Sequence, residues 1–410
     1  MKHESVFKRL MVVCLSLLAV CLLTSGNIQA QQKEEILVGA VLSLTGPSSA
    51  LTIDQKFAYE LAVEDINKRN GIFVKAFGKK LPVKLVIEDD ESDAGKAANA
   101  VERLIKIKKV DFILGTQIEP KNIAGAIVAE KYKVLYMSGT CTADSFLPRK
   151  FKWSTLIMPD AAGFGNPPFE ILSTIPEAQR PKRIGLFLWD DPAGELFRKY
   201  FKGAAPKYGY SSTFPVDEPL PFGAKDYSSL IMKAKANKID AILLLALTED
   251  SITFVRQMKE AGFSVPYLHG WAGTWGIEFW KAMGNDAQYI LADGFWHETL
   301  PYPNCKEMGE KFFKSHGKHS VSLGLWYASA QVLFEAIERA GTLDGAKVRN
   351  AIASHEFKNT PLGNLKYNES GYARIDSFAY QWWNGDQYLT YPFIKGVSHK
   401  VRLAPPWDKR

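Results

Sequence analysis

Three tryptophans and one glutamate are the residues whose types and positions could do chemistry. Trp189, Trp271 and Trp275 each follow an apolar run that reads as a β-strand, and Glu119 stands directly before Pro120 at an expected helix start. Indole faces hold apolar rings by stacking and cations by cation–π attraction, and a carboxylate supplies a matching negative charge. Such a set can bind an aromatic or apolar organic solute, or an amine. Each residue also has a plainer use: tryptophan packs lobe interfaces, and an acid complements a helix N-terminus. Catalytic signatures are absent from the sequence. It has no GxSxG elbow, HExxH pair or Walker loop, and the acidic pair Asp89-Asp90, with no nucleophile beside it, reads as a capping or lobe-edge feature. His316 and His319 form a lone HxxH and read as surface residues, and no CxxC occurs, so neither a metal nor another cofactor is expected. The chemistry indicated is binding, not turnover.

The elements that must position these residues repeat. Ile36–Leu42 reads as a buried strand running into Ser43-Leu44-Thr45-Gly46-Pro47, followed by a helix over 54–70 with Ala58, Leu61, Ala62 and Ile66 on one face. A strand over 83–87 stops at Glu88-Asp89-Asp90, and a helix over 95–108, a strand over 110–114, a helix over 120–131 and a strand over 134–137 continue the alternation. It resumes with a strand over 183–188 leading into Trp189-Asp190-Asp191-Pro192-Ala193-Gly194, a helix over 195–208 and a short strand over 211–216. A helix over 227–236, a strand over 240–245, a helix over 251–261 and a strand over 267–269 then lead to the loop carrying Trp271 and Trp275. Helices are expected over 305–315, over 322–340 (with Trp326 and Tyr327 as core, ending at Gly341) and over 344–353. A last strand over 377–383 meets Asn384-Gly385, a hairpin turn signal. Alternating strands and helices predict α/β architecture: two Rossmann-like lobes with parallel sheets and ligands at the carboxyl ends of the strands.

Residues 1–30 read as an export signal. Lys2, Lys8 and Arg9 precede a 14-residue apolar run, too short to span a bilayer, and the segment ends at Ala30, the expected cleavage point. Neither Cys14 nor Cys21 follows a small residue, which argues against a lipoprotein signal. Cleavage would remove three basic and one acidic residue, taking the formal charge from +7 to +5 and leaving 380 residues, enough for two domains. The mature protein is expected to be soluble, extracytoplasmic and monomeric. Its basic residues are dispersed, so a nucleic-acid partner is excluded. Cys141 and Cys305 are expected to be separate buried thiols.

In this order the motifs resemble the leucine/isoleucine/valine-binding protein family, the type I periplasmic binding proteins that serve ATP-driven (ABC) importers. Leu44-Thr45-Gly46-Pro47 resembles its S/T-G-P loop, Ala62-Val63-Glu64-Asp65-Ile66-Asn67 with Gly71 its A-x-x-D-I-N…G helix end, and Glu88-Asp89-Asp90 its acidic step. Arg256-Gln257-Met258-Lys259-Glu260-Ala261-Gly262 matches its R-Q-x-x-x-x-G ending. The resemblance runs from Ile36 to Trp383 and implies two lobes joined by three crossovers, closing on a small molecule for delivery to a membrane permease and its ATPase. The expected division is 31–152 plus 299–376 for lobe one and 153–298 plus 377–410 for lobe two.

The resemblance also implies a ligand site, and there the chain departs from the family. Gly115-Thr116-Gln117-Ile118-Glu119-Pro120 stands where a small hydroxyl residue holds the ligand carboxylate, with Glu119 nearest that place and Thr116 beside it. Gly139-Thr140-Cys141-Thr142-Ala143 resembles the next ligand loop, so Thr142 carries over as a polar contact with Cys141 as its neighbour. The stacking tyrosine falls at Ala193, the acid that pairs with an α-ammonium at Trp271, and a further tyrosine near Leu247. A zwitterion cannot be desolvated without partners for both charges. The expected solute is therefore not a simple branched-chain amino acid but an aromatic, apolar or amine-bearing molecule. A sensory module on the same fold and a secreted α/β hydrolase are the competing readings; the chain lacks a fused output segment for the first and catalytic elements for the second.

Overall fold

The computed structural model describes residues 33–410, so the expected export segment and its cleavage point lie outside the described residues. From the amino end come β1 (Ile36–Leu42), the small hairpin β2 (Ile72–Val74) and β3 (Lys79–Leu81), β4 (Val83–Asp89), β5 (Phe112–Leu114), β6 (Tyr136–Met137) and β7 (Ser154–Met158). There follow β8 (Ile184–Trp189), β9 (Val216–Leu220), β10 (Ala241–Leu245), β11 (Tyr267–Gly270) and β12 (Leu291–Gly294). The last strands are β13 (Glu356–Thr360), β14 (Gly363–Lys366), β15 (Tyr372–Arg374), β16 (Phe378–Trp383) and β17 (Asp386–Tyr391).

Two large sheets organise the chain. The first has the order β15-β7-β6-β5-β1-β4 and is parallel throughout; the second has the order β17-β16-β12-β11-β10-β8-β9. In the second sheet β16 and β17 run antiparallel, as the Asn384-Gly385 signal requires, with φ of 50° and 87° at those two residues. The strands β5 and β10 are buried along their whole length, the apolar pattern of strands covered by helices on both faces. Helix starts carry local chemistry. Asp93 caps Ala94–Lys106 by accepting from Lys96 N–H at 2.8 Å, and Ala97, Ala100, Val101 and Leu104 bury that helix's inner stripe.

The chain passes from the first sheet to the second between β7 and β8, returns after β12, and crosses again between β15 and β16. Tyr372 donates to the Met158 carbonyl at 2.9 Å, and Arg374 pairs with Asp160 at 3.1 Å, tying the first and third crossings together. Two sequence expectations are corrected here. Ser154–Met158, assigned to lobe two, pairs with β6 and β15 in the first sheet, because its five residues are all buried and fill the gap between those strands. The strand expected over 211–216 lies at Val216–Leu220 instead. Ser211 and Thr213 bond each other in a turn, and Pro219, which cannot donate to a ladder, is tolerated because β9 is an edge strand.

Strand order also fixes where a cleft must open. β1 lies between β4 and β5, and β8 lies between β9 and β10, so the connections after β1 and β8 leave in opposite directions from those after β5 and β10. Such switch points leave crevices beyond the strands' carboxyl ends.

Candidate functional site

A cavity of about 330 Å³ lies between the carboxyl ends of the two sheets. One wall carries residues after β1, β5 and β6; the other carries residues after β8, β10, β11 and β12. The walls meet in an interlobe hydrogen bond from Tyr200 to Asp144.

The first wall has its Gln117, Thr140, Glu119 and Thr142 side chains bonded among themselves or to backbone, leaving the Ser48 hydroxyl without a partner among the described residues. Ile118 has φ of 69°, an uncommon backbone state for a β-branched residue, held by its N–H on Thr140 Oγ1 at 2.9 Å and by the neighbouring Gln117 side chain on the Leu51 carbonyl. That bend starts helix Glu119–Tyr132 and turns Glu119 toward the next loop. Its Oε2 accepts from the Thr142 N–H at 2.9 Å and the Thr142 hydroxyl at 2.7 Å. The same hydroxyl oxygen accepts from Ser145 N–H at 3.3 Å, capping the short helix Ala143–Phe146. Thr142 therefore lines the cavity with its hydroxyl engaged in both directions.

Thr116 does not line the cavity, contrary to expectation. It is fully buried and donates to Asp90 at 2.5 Å. Asp90 also accepts from Ser43 at 2.5 Å and lies 3.5 Å from the Lys121 ammonium, whose pKa burial pushes down. This buried pair with its hydroxyls is a foundation for the loop ends, because a charge buried without partners would be costly. Asp89 holds the β1 loop through Leu44 N–H and the Thr45 hydroxyl, the lobe-edge role expected of it.

The second wall is aromatic. Trp271 packs edge-on to Phe197 at 6.0 Å and lies stacked on His269 at 4.4 Å; it is 3% exposed, so it belongs to the core as well as to the cavity lining. Trp275 meets Phe295 edge-on at 5.7 Å, and Trp189 stacks on Phe222 at 5.6 Å. The indole N–H groups of Trp189 and Trp271 are buried without a hydrogen-bond partner among the described residues. Gly194 lets the helix after β8 start tightly, since a Cβ there would lie 1.9 Å from the Trp189 carbonyl oxygen. Asp191 caps that helix through Gly194 N–H at 2.8 Å; burial raises its pKa, and Glu119 across the cleft adds to the effect.

Eight of the nine residues singled out in the sequence share this cavity: Glu119, Cys141, Thr142, Trp189, Ala193, Leu247, Trp271 and Trp275. Cys141 and Cys305 are separate buried thiols, and burial pushes the Cys305 thiol up to about 11. His319 is not a plain surface residue. It sits half-buried between Glu298 at 3.1 Å and Asp386 at 3.6 Å, and the Glu298 hydrogen bond raises its pKa.

One residue that sequence reasoning missed is Asp293 in β12, which lines the cavity at 2% exposure. It receives the Trp275 indole N–H on Oδ1, and burial drives its carboxyl well above the usual range. No element was expected over Leu291–Gly294, and no local signal in the sequence marks the pair that Asp293 forms with Trp275 across 18 residues. Among the described residues no cluster of three His, Cys, Asp or Glu side chains is placed to hold a metal ion, and no helix is long and apolar enough to cross a membrane.

Residues 35–386 match the sequence profile of a family described as periplasmic binding protein. The chain is 24% identical over 405 residues to Leu/Ile/Val-binding protein homolog 7 of Brucella suis, covering 94% of this chain and 98% of the relative. In fold it is similar to the leucine-binding protein LivK from Thermotoga maritima (TM-score 0.74, 21% identity, 86% of this chain and 97% of that one). It is similar also to the branched-chain amino acid transporter substrate-binding protein LivJ from Streptococcus pneumoniae, solved in complex with isoleucine (TM-score 0.75, 19% identity, 86% and 98% coverage).

Proposed function

The chain belongs to the periplasmic binding protein family, and from that premise we propose that it captures a small organic solute by lobe closure and hands it to the permease and ATPase of an importer. The observation that carries this reading is the cavity itself, walled by strand-end loops from both sheets and bridged by Tyr200 and Asp144. A ligand held by both walls favours the closed form by its extra contacts there, and by no more than that difference. The proposed lobes keep the expected division, with the first crossing moved from residue 152 to after Met158.

The solute is an aromatic, apolar or amine-bearing molecule and not a simple branched-chain amino acid. In support, Gln117, Glu119, Thr140 and Thr142 of the first wall are already paired, and the second wall offers mainly ring faces. The export segment is cleaved near Ala30, which places the mature protein outside the cytoplasm. A thermal-shift screen of the mature chain over aliphatic and aromatic amino acids, aromatic acids, amides and amines tests the solute class. X-ray scattering with the best hit tests closure, for which a smaller radius of gyration is expected. An unchanged radius at saturation refutes the clamp, and micromolar binding of leucine refutes the specificity.

A further inference from the structure

The cavity contains no basic side chain and three carboxylates. Among the described residues no Lys, Arg or His lines it, while Glu119, Asp191 and Asp293 all do. Two of the three are already engaged: Glu119 by both donors of Thr142, and Asp191 as a helix cap on Gly194 N–H. Asp293 is different in depth, fully buried where Glu119 and Asp191 are only half-buried. Its only side-chain donor is the Trp275 indole on Oδ1, its Oδ2 has no hydrogen-bond partner among the described residues, and no cation stands nearby. A carboxyl buried at 2% exposure with the Trp275 indole as its one side-chain donor is poorly compensated as an anion, so it keeps its proton in the empty site and gives it up when a cation arrives to pair with it. Trp275 lines the same space, and Trp271 presents a ring there whose indole N–H is itself unpartnered.

Resting on the receptor reading above, we infer that Asp293 is the counter-ion for the ammonium or guanidinium group of an organic cation that carries no carboxylate. The missing positive charge then comes from the solute. Asp293 takes its N–H groups on the free oxygen, and the Trp271 and Trp275 faces surround the cationic carbon and nitrogen atoms. Glu119 supplies the second half of the selection. It occupies the Thr142 N–H and hydroxyl, the donors a solute carboxylate would need, and it places a like charge in that spot. An acid or a zwitterion meets repulsion there; a decarboxylated amine does not. The same two features, a lone buried acid and a sealed pair of donors, define the ligand class more narrowly than the aromatic lining alone.

The test uses matched probes on the mature full chain: phenethylamine, phenylalanine, 3-phenylpropanoate and the neutral isostere 2-phenylethanol, read by calorimetry with scattering on the same samples. Phenethylamine is expected to bind at least about 30-fold more tightly than phenylalanine or 3-phenylpropanoate, the span that follows from leaving a buried charge unpaired. Asp293→Asn keeps an acceptor for Trp275 and removes the charge. It is expected to weaken phenethylamine about 30-fold or more while changing 2-phenylethanol by less than about 3-fold. A merely structural role for Asp293 would weaken both probes alike, and that result overturns the assignment. Equal or tighter binding of phenylalanine by the wild type overturns the ligand class even if the lobes close on it, leaving the receptor reading intact. Tight binding of phenethylamine with no change in radius of gyration supports the ligand class and removes the clamp.

Discussion

If the proposed specificity holds, removing the Glu119 carboxylate should let the site tolerate zwitterions that the wild type rejects. In the wild type a solute carboxylate reaching the Thr142 N–H and hydroxyl would have to displace Glu119 Oε2, which holds them at 2.9 and 2.7 Å. The two carboxylates would then lie roughly 4 Å apart. Like charges at that separation repel by about 4 kcal/mol at an effective dielectric constant near 20. Glu119 is half-buried, so water at the cleft mouth screens part of this and leaves on the order of 2–4 kcal/mol, or about 30- to 1000-fold in affinity. Glu119→Ala removes the repulsion and frees both donors, whereas Glu119→Gln removes the repulsion but leaves an amide oxygen able to keep them occupied. The assay is the ratio of dissociation constants for phenylalanine and phenethylamine, measured by calorimetry in all three proteins. The ratio should fall by at least about 30-fold in Glu119→Ala and by a smaller factor in Glu119→Gln. A ratio unchanged within about 3-fold in a Glu119→Ala protein that still melts cooperatively would refute the argument, because neither repulsion nor donor occupancy would then govern selection.

Three other outcomes follow from the geometry. Tyr200→Phe deletes the interlobe hydrogen bond to Asp144, a bond to a charged acceptor worth about 1.5–3 kcal/mol, so every solute that closes the cleft should bind about 10-fold or more weakly, with a larger radius of gyration at half saturation. Trp271→Ala should weaken the bound solute more than Trp326→Phe; it should also cost about 3–5 kcal/mol of stability, since Trp271 packs on Phe197, Phe201 and His269, so binding is read well below the melting temperature. Burial pushes the His269 imidazole down to about 3, so the unfolded chain binds its proton near pH 6.5 and the folded chain does not. Stability from this group is present above pH 6.5 and falls as the pH drops, by about 1.4 kcal/mol per unit until about pH 3; urea unfolding of His269→Phe should show a shallower acid limb than the wild type, and an identical limb would place the acid sensitivity elsewhere.

The fold was legible where local signals and burial agree. The alternation of apolar strands with amphipathic helices marks the strand ends that wall the cavity, and Gly341 at φ of 63° and Asn384-Gly385 at 50° and 87° stop a helix and turn a hairpin as their residue types require. What was not legible depends on partners far along the chain. Ser154–Met158 looks equally suited to either lobe, and what places it in the first sheet is its pairing with Tyr136–Met137 on one side and with Tyr372–Arg374, more than 200 residues later, on the other. Thr116 has the right residue type for a ligand contact, yet Asp90 claims its hydroxyl across 26 residues of sequence. Asp293 carries no local strand signal, and its strand forms because β11 and β16 flank it on both sides.

That distribution of satisfied and unsatisfied groups decides which wall can drive closure. Ser43, Thr116 and Thr142 spend their hydroxyls on Asp90, Lys121 and Glu119 within the first lobe, so a solute gains little from them that the open form does not already have. The buried cavity-lining donors still lacking partners are on the second wall, the indole N–H groups of Trp189 and Trp271, and there too lies the free oxygen of the fully buried Asp293. A solute can shift the open–closed equilibrium only through contacts it makes better in the closed form. In the reading proposed here those contacts are ring faces desolvated on closure and the Asp293 carboxyl ionised and paired with the solute's cation. A solute that docks first on the second wall, with the first lobe closing over it as a preformed lid, is the sequence of events that this asymmetry favours.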